Sequence, residues 1–236
     1  MKILGIDGSG LVASVAIVED DNLIGEYTTG YKKTHSHTLL PMLDELKKMV
    51  ELDLNSLDAI AVAAGPGSFT GLRIASATAK GLGLSLGCPI VSVPTVDALA
   101  YNMWGNDGII CPILDARRGQ VYTGLYQFEQ SGDFTVLLQQ CAVDFNEIAE
   151  KINEKGLPVT FLGDGVPVFK DKIEEIIKVP YRFAPAHLNR QHASSVAALG
   201  SIYYANGDCE IAADHRPEYL RLSQAERERM EKEGKA

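Results

Sequence analysis

Apolar and polar residues follow each other along this chain in two successive waves. Lys2 to Asp7, Ala13 to Val18 and Leu23 to Thr29 read as three short strands, divided by the Gly8-Ser9-Gly10 turn and the polar turn from Glu19 to Asn22, the pattern of a meander. The period then changes. Leu39, Leu43, Leu46 and Val50, with Met42 and Met49 beside them, form a stripe at helical spacing, and Pro41 must sit near the first turn of that helix. Ala59 to Ala64 is a short, continuous apolar run, as expected of a buried parallel strand. A Gly-rich loop leads from it into a helix ending near Leu86. Ile90 to Val93 is another strand, and Thr95 is expected to cap a helix reaching about Met103.

The second half repeats the order. Ile109 to Leu114 reads as a strand, followed by a turn over Asp115 to Gly119 and by strands over Gln120 to Phe128 and Phe134 to Gln140. Phe145 to Asn153 is helical, Pro158 to Leu162 a buried strand, Val168 to Ile177 a helix, Tyr181 to Phe183 a short strand and Ala193 to Ala205 a final helix. Both halves thus read β-β-β-α-β-α-β-α. Three antiparallel strands followed by parallel strands with crossover helices give a mixed sheet covered by helices. Made twice, this α/β pattern resembles the duplicated ribonuclease-H-like lobes of the actin, sugar kinase and Hsp70 type. A single doubly wound sheet would alternate strand and helix from the start, and this chain opens with strands only. The expected organisation is an N-terminal lobe over residues 1–105, a C-terminal lobe over 106–214 and a charged tail over 215–236, where Ser223 and Glu226 form a capping box before a solvated or frayed end.

Composition narrows the function classes. The hydrophobic fraction of 46% and charged fraction of 22% are those of a globular chain with a core. No apolar run approaches the ~20 residues that span a bilayer, and the opening MKILGIDGSG goes straight into a strand pattern, so no membrane contact and a cytoplasmic location are expected. The net charge of −9 argues against strong independent binding to a nucleic acid. Cys88, Cys111, Cys141 and Cys209 are widely spaced and read as free thiols rather than as a zinc or disulfide framework.

The segment GPGSFTGLRI, Gly65 to Ile74, lies between a buried strand and an apolar helix. Backbone N–H groups at a helix start can hold an anion, so Gly67 and Ser68 are candidate contacts. The loop is not a Walker A motif, since Leu72 and Arg73 follow Gly71 where Lys and Ser/Thr are needed. The competing reading is a tight turn in which Ser68 or Thr70 caps the helix. In nucleotide-binding members of this fold, the first hairpin of each lobe holds phosphate, which adds Asp7 and Ser9 from DGSG and Asp115, Arg117 and Arg118 from DARRGQ. Two arginines there would obstruct the backbone approach of a phosphate, though they could grip an anion as side-chain forks. This argues against ordinary ATP hydrolysis and leaves a degenerate or partner-completed site. His35 and His37 are two apart, and His187, His192 and His215 offer no pair at the helical spacing of a metal site, so the histidines read as surface or cap residues.

Two helices carry an excess of apolar residues. Between Gly71 and Leu86 the only charges are Arg73 and Lys80. A helix apolar all round is buried on every side or covered by a partner. Leu39, Met42, Leu43, Leu46 and Val50 on the first helix, with Ile74, Ala75, Thr78, Ala79 and Leu82 on the second, are therefore the candidate partner interface.

ILGIDGSGLVASVAI (Ile3 to Ile17), HSHTLLPML (His35 to Leu43), AGPGSFTGLRIASATAK (Ala64 to Lys80), DARRGQVY (Asp115 to Tyr122), GDGV (Gly163 to Val166) and PEYLR (Pro217 to Arg221) together resemble the TsaB, or YeaZ, family over essentially the whole chain. The resemblance implies a non-catalytic subunit in making threonylcarbamoyladenosine beside the anticodon of ANN-decoding tRNAs. It implies partnership with the catalytic paralogue TsaD through first-lobe helices, assembly with the ATPase TsaE, contact with tRNA only within the complex, and a homodimer when TsaD is absent. It implies no cofactor for this chain, with ATP bound by the partner complex. TsaD-type proteins bind metal through His-x-x-x-His on a helix, which this chain lacks, and Gly8 stands where many family members have Thr. A weak nucleotide-binding ATPase of the actin-like fold is the alternative.

Overall fold

The computed structural model describes residues 1–31 and 34–221, so the capping box at Ser223 and Glu226 lies outside the described residues. The first half of the chain forms β1 (Lys2–Asp7), β2 (Ala13–Glu19), β3 (Asn22–Thr29), α1 (Leu39–Met49), β4 (Ala59–Gly65), α2 (Phe69–Leu86), β5 (Ile90–Pro94) and α3 (Thr95–Tyr101). The second forms β6 (Ile109–Asp115), β7 (Gln120–Phe128), β8 (Phe134–Asp144), α4 (Phe145–Lys155), β9 (Val159–Leu162), α5 (Val166–Ile176), β10 (Tyr181–Phe183) and α6 (Ala193–Ala205). The two sheets have the orders β3-β2-β1-β4-β5 and β8-β7-β6-β9-β10. In each, the three leading strands pair antiparallel and the last two join parallel. The duplicated ribonuclease-H-like topology read from the sequence pattern is therefore present in both lobes.

The apolar stripe of α1 explains its position. Leu39, Met42, Leu43 and Leu46 lie within the core formed with Leu4, Ile6, Val15 and Ile60 of the first sheet, beside Ala75 and Ala79 of α2. Helices α4 and α5 cover one face of the second sheet through Ile148, Ile152, Phe169 and Ile173. The remaining face of each sheet is covered across the halves. Val196, Ala197 and Leu199 of α6 pack on Ile3, Ala61 and Val91 of the first sheet. Val96, Leu99 and Ala100 of α3 pack on Ile110, Leu114, Tyr126 and Leu162 of the second. By packing, then, α6 covers the first sheet although it follows the second in the chain, and α3 does the converse.

Three local expectations also change. Thr95 does not cap α3. It is the helix's first residue, and its hydroxyl accepts the Gly65 N–H at 3.2 Å instead. Strand β8 runs to Asp144, whose carboxylate caps α4 by accepting the Asn146 N–H at 2.8 Å, so strand and helix join without a loop. The stretch from 215 to 221, ahead of the expected frayed end, makes specific contacts. Lys80 Nζ donates to the carbonyls of Ala213 (2.8 Å) and His215 (2.9 Å). His215 is only 1% exposed, with Nδ1 beside Ser92 Oγ (2.9 Å) and Glu210 Oε1 (2.8 Å), so it is a core histidine rather than a surface one.

The cross-cover by α6 is locked by Glu26 on β3. Its carboxylate accepts the Ser194 N–H at the start of α6 (3.1 Å) and faces His192 Nδ1 (3.1 Å). Burial alone would lift this carboxyl, but the bonds from His192 and Ser194 outweigh it and hold Glu26 at about 2. Glu26 in turn raises His192 above its ordinary value, against the opposing effect of burial. The carboxylate's contribution to stability is present above its ordinary 4.5 and lost as pH falls toward about 2. The imidazolium's is complete below its ordinary 6.5 and lost as pH rises through the raised value. Thermal denaturation of Glu26→Gln should therefore show its largest loss of Tm against wild type at about pH 5.5, with a smaller gap at about pH 9 and about pH 3. A gap that does not change with pH would remove the ion pair from this account.

Candidate functional site

Loops from the two lobes line a cleft of about 600 Å³. Its walls come from the β1–β2 turn, the loop entering α2, the β6–β7 hairpin and the turn after β9. Ser9, Gly67, Ser68, Asp115 and Arg117 meet there, as do Asp164 and Gln191. Asp7 is buried beneath the first hairpin at 1% exposure, and Arg118 is exposed at the tip of the second.

Most of these groups already have a partner within the chain. Asp7 Oδ1 accepts both the N–H (2.8 Å) and the hydroxyl (2.6 Å) of Ser9. Burial pushes Asp7 up to about 6, against the Ser9 bonds and the nearby His35 and His192. Ser68 is the cap of α2, its hydroxyl accepting the Gly71 N–H at 3.3 Å, while its own N–H donates to the Ser9 carbonyl at 2.6 Å. The glycines of the loop serve the same contact. A side chain at Gly67 would put Cβ 2.3 Å from the Ser9 carbonyl oxygen, and one at Gly71 would put it 2.0 Å from that of Gly8. Backbone meets backbone here, and this packing alone requires glycine at both positions.

In the second lobe Asp115 accepts from the Arg117 N–H (2.8 Å) and guanidinium (3.2 Å). Arg117 and Arg118 take φ values of +66° and +56°, a region that side-chain-bearing residues seldom occupy. The Arg117 side chain is 85% exposed and turned onto Asp115, so it borders the cleft rather than filling it. Asp164, which accepts the Asp115 N–H at 3.3 Å, is pushed up by burial against that bond and the nearby Arg190. Among the described residues, no group of three or more His, Cys, Asp or Glu is arranged to hold a metal ion.

The candidate interface divides. Leu39, Met42, Leu43, Leu46, Ala75 and Ala79 are 6% exposed or less and serve the first-lobe core, so they cannot form the surface expected of them. Their apolar character is what a sheet-covering stripe requires. Val50, Ile74, Thr78 and Leu82 are half-buried. The outer face of α1 mixes the exposed charges Asp44, Glu45, Lys47 and Lys48 with exposed Leu40 and Met49, whereas that of α2 carries Arg73 as its one exposed charge. Ile74, Ala77, Thr78 and Gly81 recur there at spacings of three and four, with Leu84 beside them at 62% exposure. Of these two helices, α2 has the less charged exposed face.

Some residues of the site were not singled out from the pattern. His35 Nε2 pairs with the Gly10 carbonyl at 2.8 Å, so the HSH segment buttresses the first hairpin. Gln191, 2% exposed, reaches the cleft from the loop before α6, and its Nε2 finds no hydrogen-bond partner among the described residues. Tyr219 and Arg221 line the cleft from the C-terminal segment. A lone polar residue in a loop carries no periodic signal; PEYLR was visible as a motif, but not its destination.

Duplicated lobes of one topology around a shared cleft define a two-lobed protein of the actin-like class. A family model described as TsaD, tRNA N6-adenosine threonylcarbamoyltransferase, matches residues 22–229. The tRNA threonylcarbamoyladenosine biosynthesis protein TsaB of Bacillus subtilis (strain 168) is 39% identical over 96% of this chain and 96% of its own. That of Escherichia coli (strain K12) is 33% identical over 56% of this chain and 58% of its own. The solved structure of YeaZ from Pseudomonas aeruginosa superposes with a TM-score of 0.79 at 26% identity, covering 93% of this chain and 99% of that one. A crystal structure described as an uncharacterized protein with similarity to peptidase YEAZ, from the same organism, gives 0.80 at 26% identity. This chain belongs to the TsaB, or YeaZ, family.

Asp7 offers a direct check on the packing account. Its raised carboxyl contributes fully to stability below its ordinary 3.8 and loses that contribution as pH rises through about 6. Asp7→Asn, keeping an acceptor for Ser9, should therefore be more stable than wild type at pH 8, by up to roughly 2–3 kcal/mol, with the gain vanishing below about pH 4. Chemical denaturation at the two pH values measures it, and a variant less stable than wild type at pH 8 would contradict it.

Proposed function

We propose that this chain is a non-catalytic partner subunit in tRNA threonylcarbamoyladenosine biosynthesis, the process named for its TsaB relatives. In this reading it binds and activates the transferase TsaD through the outer face of α2, helps recruit TsaE, and meets tRNA only within that assembly in the cytoplasm. The same face pairs two copies of the chain when TsaD is absent, and ATP is bound by the partner complex. The observation that carries the reading is the uncovered apolar ridge of Ile74, Ala77, Gly81 and Leu84 on a helix whose opposite face is fully used by the core. A ridge of small residues lets another backbone approach closely, and apolar exposure in such a patch marks an interaction surface. The chemistry of the cleft points the same way, because Asp7, Ser9, Ser68 and Asp115 are engaged by their own chain.

The burial pattern fixes the substitutions that test this. Ala77→Glu and Leu84→Glu replace exposed side chains and should leave stability within about 0.5 kcal/mol, while abolishing co-elution with TsaD in gel filtration. Ala79→Glu places a charge in the core and should cost roughly 3–5 kcal/mol, losing partner binding through unfolding. Undiminished co-elution of both Ala77→Glu and Leu84→Glu would overturn the α2 interface.

A second reading, weak nucleotide binding in the cleft, is favoured by the unpaired Gln191 amide and the cleft volume of about 600 Å³. Calorimetry with ATP and Mg²⁺ separates the two. The partner reading expects no saturable heat from the isolated chain, and a one-to-one isotherm lost in Gln191→Ala would favour the second.

A further inference from the structure

After α6 the chain turns back over the first sheet and then crosses the cleft. Glu210 pairs with Ile90 as an isolated bridge, and the Lys80 and His215 contacts hold the stretch that follows. At the end of β4 the Glu218 N–H donates to the Ala64 carbonyl at 2.7 Å. Gly65 next to it has φ +125°, and a Cβ there would lie 2.2 Å from the Glu218 carbonyl oxygen, so this glycine gives the returning backbone its room. Tyr219 then lies on Phe69 with ring centroids 4.7 Å apart. Its hydroxyl accepts from Arg73 Nε at 3.2 Å, and the Arg73 guanidinium sits 3.9 Å over the same Phe69 ring.

The next contacts reach the opposite lobe. Gln140 Nε2 on β8 donates to Glu218 Oε2 at 2.9 Å. Arg221 Nη1 donates to the Ala116 carbonyl in the β6–β7 hairpin at 2.5 Å. Four consecutive residues therefore touch both banks of the cleft, and Leu220 between them lines its mouth.

We propose that residues 218–221 form a latch that holds the two lobes closed over the cleft, and that releasing its second-lobe end opens the cleft. The anchoring is unequal. On the first lobe the segment has a backbone bond, a tilted aromatic contact and a buried histidine behind it. On the second it has the Gln140 and Arg221 side-chain bonds, and each is exposed or half-buried. Exposed bonds of this kind are individually weak because water competes for both partners. The segment should therefore stay on the first lobe while the second swings away. Phe69 and Arg73, which hold Tyr219, stand at the start of α2, so the latch and the exposed face of that helix share one element.

Hydrogen exchange of the full-length chain, read by mass spectrometry, tests this without any ligand or partner. Arg221→Ala and Tyr219→Ala change residues outside the core, so folding survives. In both, amides of residues 8–11, 66–71 and 115–119 should exchange at least about fivefold faster than in wild type, while the cores of both sheets stay as protected as before. Arg221→Lys, which can still donate to Ala116, should recover part of the protection. Unchanged exchange in the cleft segments of both alanine variants would overturn the latch. So would an increase spread equally through both sheets, which reports global destabilisation. The outcome is independent of the α2 interface, since the isolated chain is measured.

Discussion

Each lobe is built on a sheet with two apolar faces, and both faces must be covered. The two helices that follow the meander in each half cover only one. The other is covered by a helix from the opposite half, α3 on the second sheet and α6 on the first. This exchange ties the two lobes together beside the cleft. A polar contact joins the same three layers: Asp97 of α3 accepts the Tyr126 hydroxyl of β7 at 2.6 Å and that of Tyr203 of α6 at 3.4 Å. Burial pushes the Asp97 carboxyl up against these bonds.

Within the first lobe the loops at the cleft are pressed against one another. The first hairpin sits on the loop entering α2, which is why Gly67 and Gly71 carry no side chain. The loop that reads in isolation as a phosphate cradle also packs against the first hairpin and the C-terminal segment. Ser68 caps its helix, Ser9 satisfies Asp7, and the C-terminal segment lies across the opening. The second hairpin turns its arginine onto its own aspartate. The groups around the cleft are thus bound largely to one another, and the outer face of α2 exposes Ala77, Gly81 and Leu84.

The element order was legible in the sequence because strands and helices here obey clean periods. Ala59 to Ala64 and the Leu39 stripe each match one template only. Much of what remained hidden depends on which faces meet. The apolar stripe of α1 and the apolar surround of α2 look alike as composition, yet Leu46 faces a sheet, whereas α2 turns Ala77 and Leu84 to solvent. A helix's own sequence does not state which of its neighbours exist. The assignment of α6 to the first sheet could not be read for the same reason, since α6 is apolar on most of its circumference and either sheet would accept it. Thr95 looked like a cap because its type and position suit one, but Gly65 claims its hydroxyl from a distant turn. The charge-rich end concealed Tyr219, whose partner Phe69 lies far away in the chain. Family resemblance supplied what periodicity could not, namely the process in which the α2 surface would matter.

A division of labour follows between cleft groups engaged by their own chain and an exposed helix face. Its most direct measurement is threonylcarbamoyl transfer to tRNA, reconstituted with TsaD, TsaE and a form of this chain whose cleft carboxylates are replaced by Asp115→Asn and Asp164→Asn. Both substitutions preserve shape while removing the charges a bound metal–nucleotide would need. The account expects transfer within about twofold of that supported by wild type. A loss of about a hundredfold or more, with the variant still folded and still bound to TsaD, would show that the cleft takes part in the chemistry and would contradict it.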